Sequence, residues 1–309
     1  MKPQFLDPKY IFVISVFTLL CGCQKQPLYT DNRLLMGTYV EVISPSQDAA
    51  KIVFREIARI ENLLSKYKPE SEVSRLNRLG ALTVSPETFY VLKKSREFWE
   101  LTNGAFDITV GPLLDLWGFT DQRFRRPAER EIKETLKLIG QGNIVLRQED
   151  RYAGFTLPGV KINLGAIAKG YAVDCAVRRL KEQGIASCLI NAGGQIAALG
   201  GRSGRPWKIA VQNPRGRGAR EYLELSDRSV STSGDYEQYF IKEGRRFAHI
   251  FDPRTGYPAQ SGVISVTVAA ADGLTADALA TSILVLGKVK GELLVKKFPD
   301  AEAIIIEGE

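Results

Sequence analysis

One histidine, His249, and four cysteines are the whole supply of imidazole and thiol in 309 residues. That scarcity nearly excludes zinc sites and histidine-rich catalysis. A bound metal would take oxygen ligands, which points to magnesium or calcium. No internal repeat, low-complexity tract or long linker divides the chain. Basic residues exceed acidic ones by 42 to 35, a net charge of +7. They are scattered, apart from short clusters at residues 123–126 and 215–220. Nucleic-acid binding calls for a basic stripe with interleaved aromatics, and none is present. A mildly basic face suits an anionic small molecule or an anionic membrane surface.

Long hydrophobic runs are also missing. The apolar stretch at residues 11–20 follows Lys2 and Lys9 and is too short to cross a bilayer as a stable helix. A cationic start, a short apolar segment and a small residue before the break describe a secretory signal. Leu20-Cys21-Gly22-Cys23 resembles the bacterial lipobox. That resemblance implies a signal peptide at residues 1–22, lipidation of Cys23, and a place in the bacterial cell envelope, lipid-anchored and facing the periplasm or exterior. Cys21 fits less well, because bulky Leu20 precedes it. A plain cleaved signal or a single membrane anchor is the alternative. Residues 23–33 then read as the lipidated cysteine and a polar tether, and residues 34–309 as the working domain. Its remaining thiols, Cys175 and Cys188, fall in a helical and a strand pattern respectively. One disulfide or two buried free thiols are both open, and the patterns favour the thiols.

Residues 39–43 alternate as a strand, and residues 48–65 place Ile52, Val53, Ile57, Ile60, Leu63 and Leu64 on one helical face. Ser85-Pro86 is a cap followed by proline at the first helical position, opening a second helix that ends near Asn103-Gly104. Residues 130–138 read as a third helix, 143–146 and 160–164 as short strands, 165–183 as a helix and 186–191 as a buried strand. Strands and turns dominate residues 207–270. Helices are expected over 274–286 and 288–298, and a last strand over 304–306. The irregular interleaving predicts one compact α+β unit of mixed, largely antiparallel sheets with helices, with a division into two lobes left open.

Glycine-rich turns mark the element boundaries. Asn163-Leu164-Gly165-Ala166-Ile167-Ala168-Lys169-Gly170 runs from strand into helix, where backbone amides and Lys169 can face an anion. Close helix–strand packing explains the same glycines equally well. It is neither the phosphate loop of nucleotide hydrolases nor the dinucleotide fingerprint. Asn191-Ala192-Gly193-Gly194 is a second such turn. Asp277 and Thr281, four apart on a helix, share a face and can offer two hard oxygen ligands; capping is the commoner use of such residues. His249 alone has an ordinary pKa suited to proton transfer near neutrality.

These strings, taken in order, are similar to the ApbE-type FAD:protein FMN transferases. The resemblance runs from Met36-Gly37-Thr38 through Leu64-Ser65-Lys66-Tyr67, residues 71–77 and Thr102-Asn103-Gly104-Ala105-Phe106-Asp107. It continues through residues 163–174, Asn191-Ala192-Gly193-Gly194, Ser233-Gly234-Asp235-Tyr236, residues 249–256 and residues 275–281. It implies an enzyme that splits FAD at its pyrophosphate with Mg2+, attaches FMN through a phosphoester to a threonine of an acceptor protein, and releases AMP. The acceptor is typically a subunit of a membrane redox pump. By the same resemblance, Met36, Tyr67, Ala105, Phe106, Asp107, Asn163, Lys169 and Ile250 would contact FAD. Magnesium would lie between the Ala166 carbonyl, Asp277 and Thr281, with His249 as the base acting on the acceptor threonine. Tyr67 and Phe106 suit flat rings.

Two departures stand out. Many members carry an acidic residue or serine where this chain has Gln195, and some carry an acidic residue where it has Lys169. The alternatives are a magnesium-dependent FAD pyrophosphatase yielding FMN and AMP, and a non-catalytic flavin-binding lipoprotein.

Overall fold

Strands drawn from distant parts of the chain assemble into one seven-stranded sheet. The computed structural model describes residues 27–308; the apolar N-terminal segment and Cys23 lie outside the described residues. In spatial order the strands are Tyr29–Leu35, Thr38–Ser44, Cys188–Ala192, Gln195–Leu199, Arg228–Gly234, Val263–Ala270 and Glu302–Glu307. Every neighbouring pair is antiparallel. Eight α-helices accompany the strands among the described residues: α1 (Ala49–Leu64), α2 (Glu72–Leu79), α3 (Pro86–Leu101), α4 (Gly111–Leu116), α5 (Glu129–Leu136), α6 (Ala168–Glu182), α7 (Gly273–Leu286) and α8 (Lys288–Val295). None is long and apolar enough to cross a membrane.

The period-2 alternation of the strands separates two apolar layers. Val40, Val42, Ile190, Ala192, Ala197, Val266 and Val268 join α1, α3, α6 and α7 in the main core. The opposite-facing Ile43, Leu189, Ile196, Ala198, Val230 and Ala269 pack on Trp207, Ile209 and Leu225 of a separate hairpin. The main core draws on both the sheet and the helical region before α6, so the two lobes left open by the sequence are one body. A third cluster, around fully buried Trp117 with Phe119, Phe247 and Phe251, lies beneath α4 and α5.

Local signals account for most of the helices. Ser85 accepts from the Thr88 amide with Pro86 in the first turn, as the sequence predicts. In α1, Val53, Ile57, Ile60 and Leu64 are buried at helical spacing. Two expectations are corrected. Residues 160–164 form no strand. The Asn77 side chain takes the place of a neighbouring strand, its Oδ1 accepting from Ile162 N at 2.8 Å and its Nδ2 donating to Ile162 O at 2.9 Å. Asn163 N donates to Ile108 O at 2.7 Å. The tether expected over residues 23–33 is strand from Tyr29 onward. That strand is exposed along nearly its whole length, so it lacks the apolar alternation that would mark it. Both cysteines in the described residues, Cys175 and Cys188, are buried free thiols.

Candidate active site

Two helices meet at their N-terminal ends, backbone against backbone. A Cβ on Gly170 of α6 would lie 2.1 Å from the Gly273 carbonyl oxygen, and one on Gly273 of α7 would lie 2.8 Å from the Gly170 oxygen. Only glycine permits that approach. Asp174 of α6 clasps the start of α7, accepting from Gly273 N at 2.6 Å and Leu274 N at 2.8 Å. Asp272 caps the same helix through Thr275 N at 2.8 Å. Burial pushes the Asp174 carboxyl up to about 7 against these hydrogen bonds.

The crossing sets Asp277 on Gly170, whose N–H donates to Asp277 Oδ2 at 3.1 Å. Ser231 Oγ donates to Asp277 Oδ1 at 3.2 Å, and Ser233 and Thr281 share a hydroxyl hydrogen bond at 3.2 Å. The two rungs match because two residues of strand advance about 6.7 Å and four residues of helix about 6 Å. Asp277 is 3% exposed, yet no basic side chain among the described residues pairs with it. An unpaired buried carboxylate is costly, and this one lies beside a hydroxyl. That donor set suits a hard divalent cation completed by carbonyl, water and phosphate oxygens. No group of three His, Cys, Asp or Glu side chains converges among the described residues, so a cage of carboxylates is not built here.

Above this pair opens a cavity of about 370 Å³. Its walls include Met36, Tyr67, Ala105, Phe106, Asp107, Asn163, Ala166, Lys169, His249, Ile250, Asp277 and Thr281. Every residue of the FAD, metal and base sets expected from the sequence therefore meets one space. Met36 and Gly37 both adopt positive φ (52° and 73°) in the tight turn joining the first two strands, which sets them at the rim. Gly193, in a similar turn, packs so closely on Thr38 that a Cβ would lie 2.2 Å from Thr38 Oγ1. In the glycine-rich segment at residues 163–170 the close packing is of helix on helix rather than helix on strand, and the Gly165 amide donates to Asn163 Oδ1 at 2.8 Å. Gly165 lines the cavity and Gly170 permits the helix crossing.

Two placements differ from expectation. The Phe106 ring is 1% exposed and packs on Phe98 with centroids 5.7 Å apart, so it is core rather than a platform for a flat ring. Tyr67, 69% exposed, is the aromatic face free at the mouth. Asp107 lines the cavity, but its Oδ1 accepts from Thr109 N at 2.7 Å and Thr109 Oγ1 at 2.6 Å, capping a turn. Burial pushes its carboxyl up to about 6.

The histidine is tied by its neighbour's backbone. His249 N donates to the Gln238 carbonyl at 3.0 Å, and ring Nδ1 lies 3.2 Å from the same oxygen. A carbonyl only accepts, so Nδ1 carries the proton and Nε2 is left as acceptor. Enclosure by protein pushes the imidazole down to about 4; the Gln238 hydrogen bond opposes this and the Lys169 ammonium adds to it. At neutral pH the ring is uncharged. Lys66, Ser233, Glu237 and Gln238 also line the cavity. Sequence reasoning gave none of these four, nor Ser231, a site role. The nearest signal was the alternation of Ser231 and Ser233 along one strand. Burial lowers Lys66, partly offset by Asp115, and raises Tyr67.

Comparison with known proteins adds an independent line. A model of the ApbE family matches residues 36–305. The FAD:protein FMN transferase of Vibrio cholerae is 33% identical over 298 residues, covering 91% of this chain and 89% of that protein. That of Haemophilus influenzae is 31% identical over 96% of this chain and 92% of its own length. Among solved structures, the ApbE protein of Thermotoga maritima superposes with a TM-score of 0.84 at 38% identity, covering 91% of this chain and 94% of that one. The flavin transferase ApbE of Vibrio cholerae gives 0.80 at 30% identity, with 92% and 95% covered.

Proposed function

The chain belongs to the ApbE family, and from that premise we propose that it is an FAD:protein FMN transferase with FAD and a threonine-bearing acceptor protein as its substrates. The observation that carries the reading is a buried, unpaired Asp277 beneath a cavity that also holds a neutral His249. Met36, Tyr67, Ala105, Asn163 and Ile250 line the space offered to FAD, with Tyr67 as the exposed ring. Asp277, Thr281 and the Ala166 carbonyl are the proposed holders of Mg2+. When bound, the ion neutralises negative charge spread over the pyrophosphate oxygens.

His249 Nε2 accepts the proton of the acceptor threonine hydroxyl, a weak nucleophile without a base. The threonine oxygen forms a bond to the FMN phosphorus. The bond from that phosphorus to the bridging oxygen breaks, and AMP leaves with the electron pair. Lys169 lends positive charge to the phosphates during this displacement. Anchoring through a lipid on Cys23, at the outer side of a membrane, is part of the same proposal.

Incubation with FAD and Mg2+, with and without a threonine-bearing acceptor, tests the reading by mass spectrometry. The expected result is FMN mass on one acceptor threonine together with AMP. Rapid FMN release without acceptor would identify a pyrophosphatase instead, and tight FAD binding without turnover a carrier. Asp277→Ala removes the only carboxylate of the proposed Mg2+ set and should abolish metal-dependent turnover. Unchanged turnover would remove Asp277 from that role.

A further inference from the structure

Among the described residues Asp277 has no counter-ion, although a cation is within one residue of its anchor. Lys169 immediately precedes Gly170, whose amide holds Asp277 Oδ2 at 3.1 Å. Its side chain lines the same cavity, and among the described residues its Nζ makes one hydrogen bond, to Gly165 O at 3.3 Å. A lysine stem of four methylenes with three donors on its head is an adaptable point charge. Placed on Asp277, that head would form an ion pair and fill the position a divalent cation needs.

Glu237 lines the same cavity, in the segment that follows Ser233 and Gly234. Its carboxyl makes no ion pair with any described residue, yet it feels both charges across the cavity. Enclosure raises it, the Lys169 ammonium lowers it, and the Asp277 carboxylate raises it further. The cavity walls carry three carboxyls, Asp107, Glu237 and Asp277, and two lysines, Lys66 and Lys169. Asp107 is engaged by Thr109, and Lys66 donates to Thr120 Oγ1 at 3.2 Å, so Glu237, Asp277 and Lys169 are the charges left to act on one another. The buried Asp277 carboxylate is held by Gly170 and Ser231, whereas Glu237 is exposed at the surface.

Building on the proposed cation site, we infer that Glu237 is a positioning residue that draws Lys169 toward the mouth and keeps Asp277 and Thr281 clear for a divalent cation. Without Glu237, Lys169 becomes an internal competitor for that site. An anionic pyrophosphate entering the cavity takes the ammonium from Glu237 without returning it to Asp277, which by then carries the metal. The sequence anticipated Lys169 as a phosphate contact but gave Glu237 no role.

Mg2+ binding to the FAD-free protein, measured by calorimetry, separates the possibilities in wild type, Glu237→Gln, Lys169→Met and the double variant. Glu237→Gln should weaken Mg2+ binding about tenfold, the scale of a typical coupling between neighbouring groups. Lys169→Met should tighten it. In the double variant the Glu237 effect should vanish, leaving the Lys169→Met affinity. An equal weakening with and without Lys169 would show that Glu237 acts on the ion directly and overturn the proposal, as would no weakening at all. If the folded wild-type protein binds no Mg2+, the cation-site reading itself fails. Thermal midpoints of the four proteins check that each is folded; Glu237 is exposed and its replacement should leave the midpoint unchanged.

Discussion

The proton transfer proposed for His249 needs the neutral ring, and the structure sets that form in two ways. The Gln238 carbonyl fixes the tautomer, and enclosure together with Lys169 holds the pKa near 4. His249→Ala should therefore retain FAD binding while slowing transfer by roughly 10²–10⁴-fold, the range for loss of a general base. Single-turnover transfer beside an FAD titration checks both halves, and an unchanged transfer rate would move the base elsewhere. In the free enzyme the acid limb of kcat/KM should fall near pH 4 instead of 6.5, with activity rising as pH increases through it. The same shift costs stability in acid. Below 6.5 the unfolded chain takes up a proton that the folded imidazole refuses until about 4, so folding weakens as pH falls through that window. Asp107 and Asp174, raised to about 6 and about 7, act in the opposite sense. Their folded forms keep protons the unfolded chain has released, so their share of stability is lost as pH rises from about 3.8 through those values. His249 was legible because it is unique in the sequence. Ser231, Ser233 and Glu237 were not, since a serine or a glutamate has no chemical signature until a helix is laid across its strand or loop.

The crossing of α6 and α7 is what makes a site from two otherwise ordinary helices. Alanine at Gly170 would be favoured by helix propensity, by about 1 kcal/mol. The added methyl would also lie 2.1 Å from the Gly273 carbonyl oxygen, a backbone atom that cannot step aside. Overpacking of this kind costs about 1–3 kcal/mol, so steric overlap should outweigh propensity. Gly170→Ala should lower the urea midpoint and, by spreading the helices, weaken Mg2+ binding; a midpoint at or above wild type would contradict the close approach. Both helices were readable from their apolar patterns and glycine boundaries. The spacing of four puts Asp277 and Thr281 on one face but by itself reads as capping, and only the family resemblance pointed to a metal. What those glycines do was not readable, because an anion-facing turn and a tight crossing call for the same residue. Residues 160–164 misled for a related reason. They are extended and apolar enough to look like a strand, and their partner is the Asn77 side chain rather than another strand.

At the scale of the whole molecule, an all-antiparallel sheet joins residues 29–44, 188–199, 228–234, 263–270 and 302–307. The class was legible because strand and helix patterns interleave without steady alternation. The order of strands was not, since Val40 pairs with Ala192 through contacts that no local pattern encodes. One consequence concerns the N-terminus. The edge strand Tyr29–Leu35 runs directly into Met36 at the cavity rim, so its seven residues span about 20 Å. From Cys23 to Tyr29 the chain can reach no more than about 20 Å even when fully extended. A lipid on Cys23 would thus keep the cavity within roughly 40 Å of the bilayer, confining enzyme and membrane-borne acceptor to one thin layer and raising their effective concentration. Cys23→Ser should then move the protein from the membrane to the soluble fraction. Turnover of purified protein with a soluble acceptor should be unchanged, because Cys23 precedes every element that builds the cavity. Modification of a membrane acceptor in cells should fall, read as the fraction of acceptor threonine carrying FMN at equal enzyme abundance. Retention of the variant in the membrane fraction would overturn the anchor. Release without any fall in acceptor modification would show that tethering does nothing for the encounter.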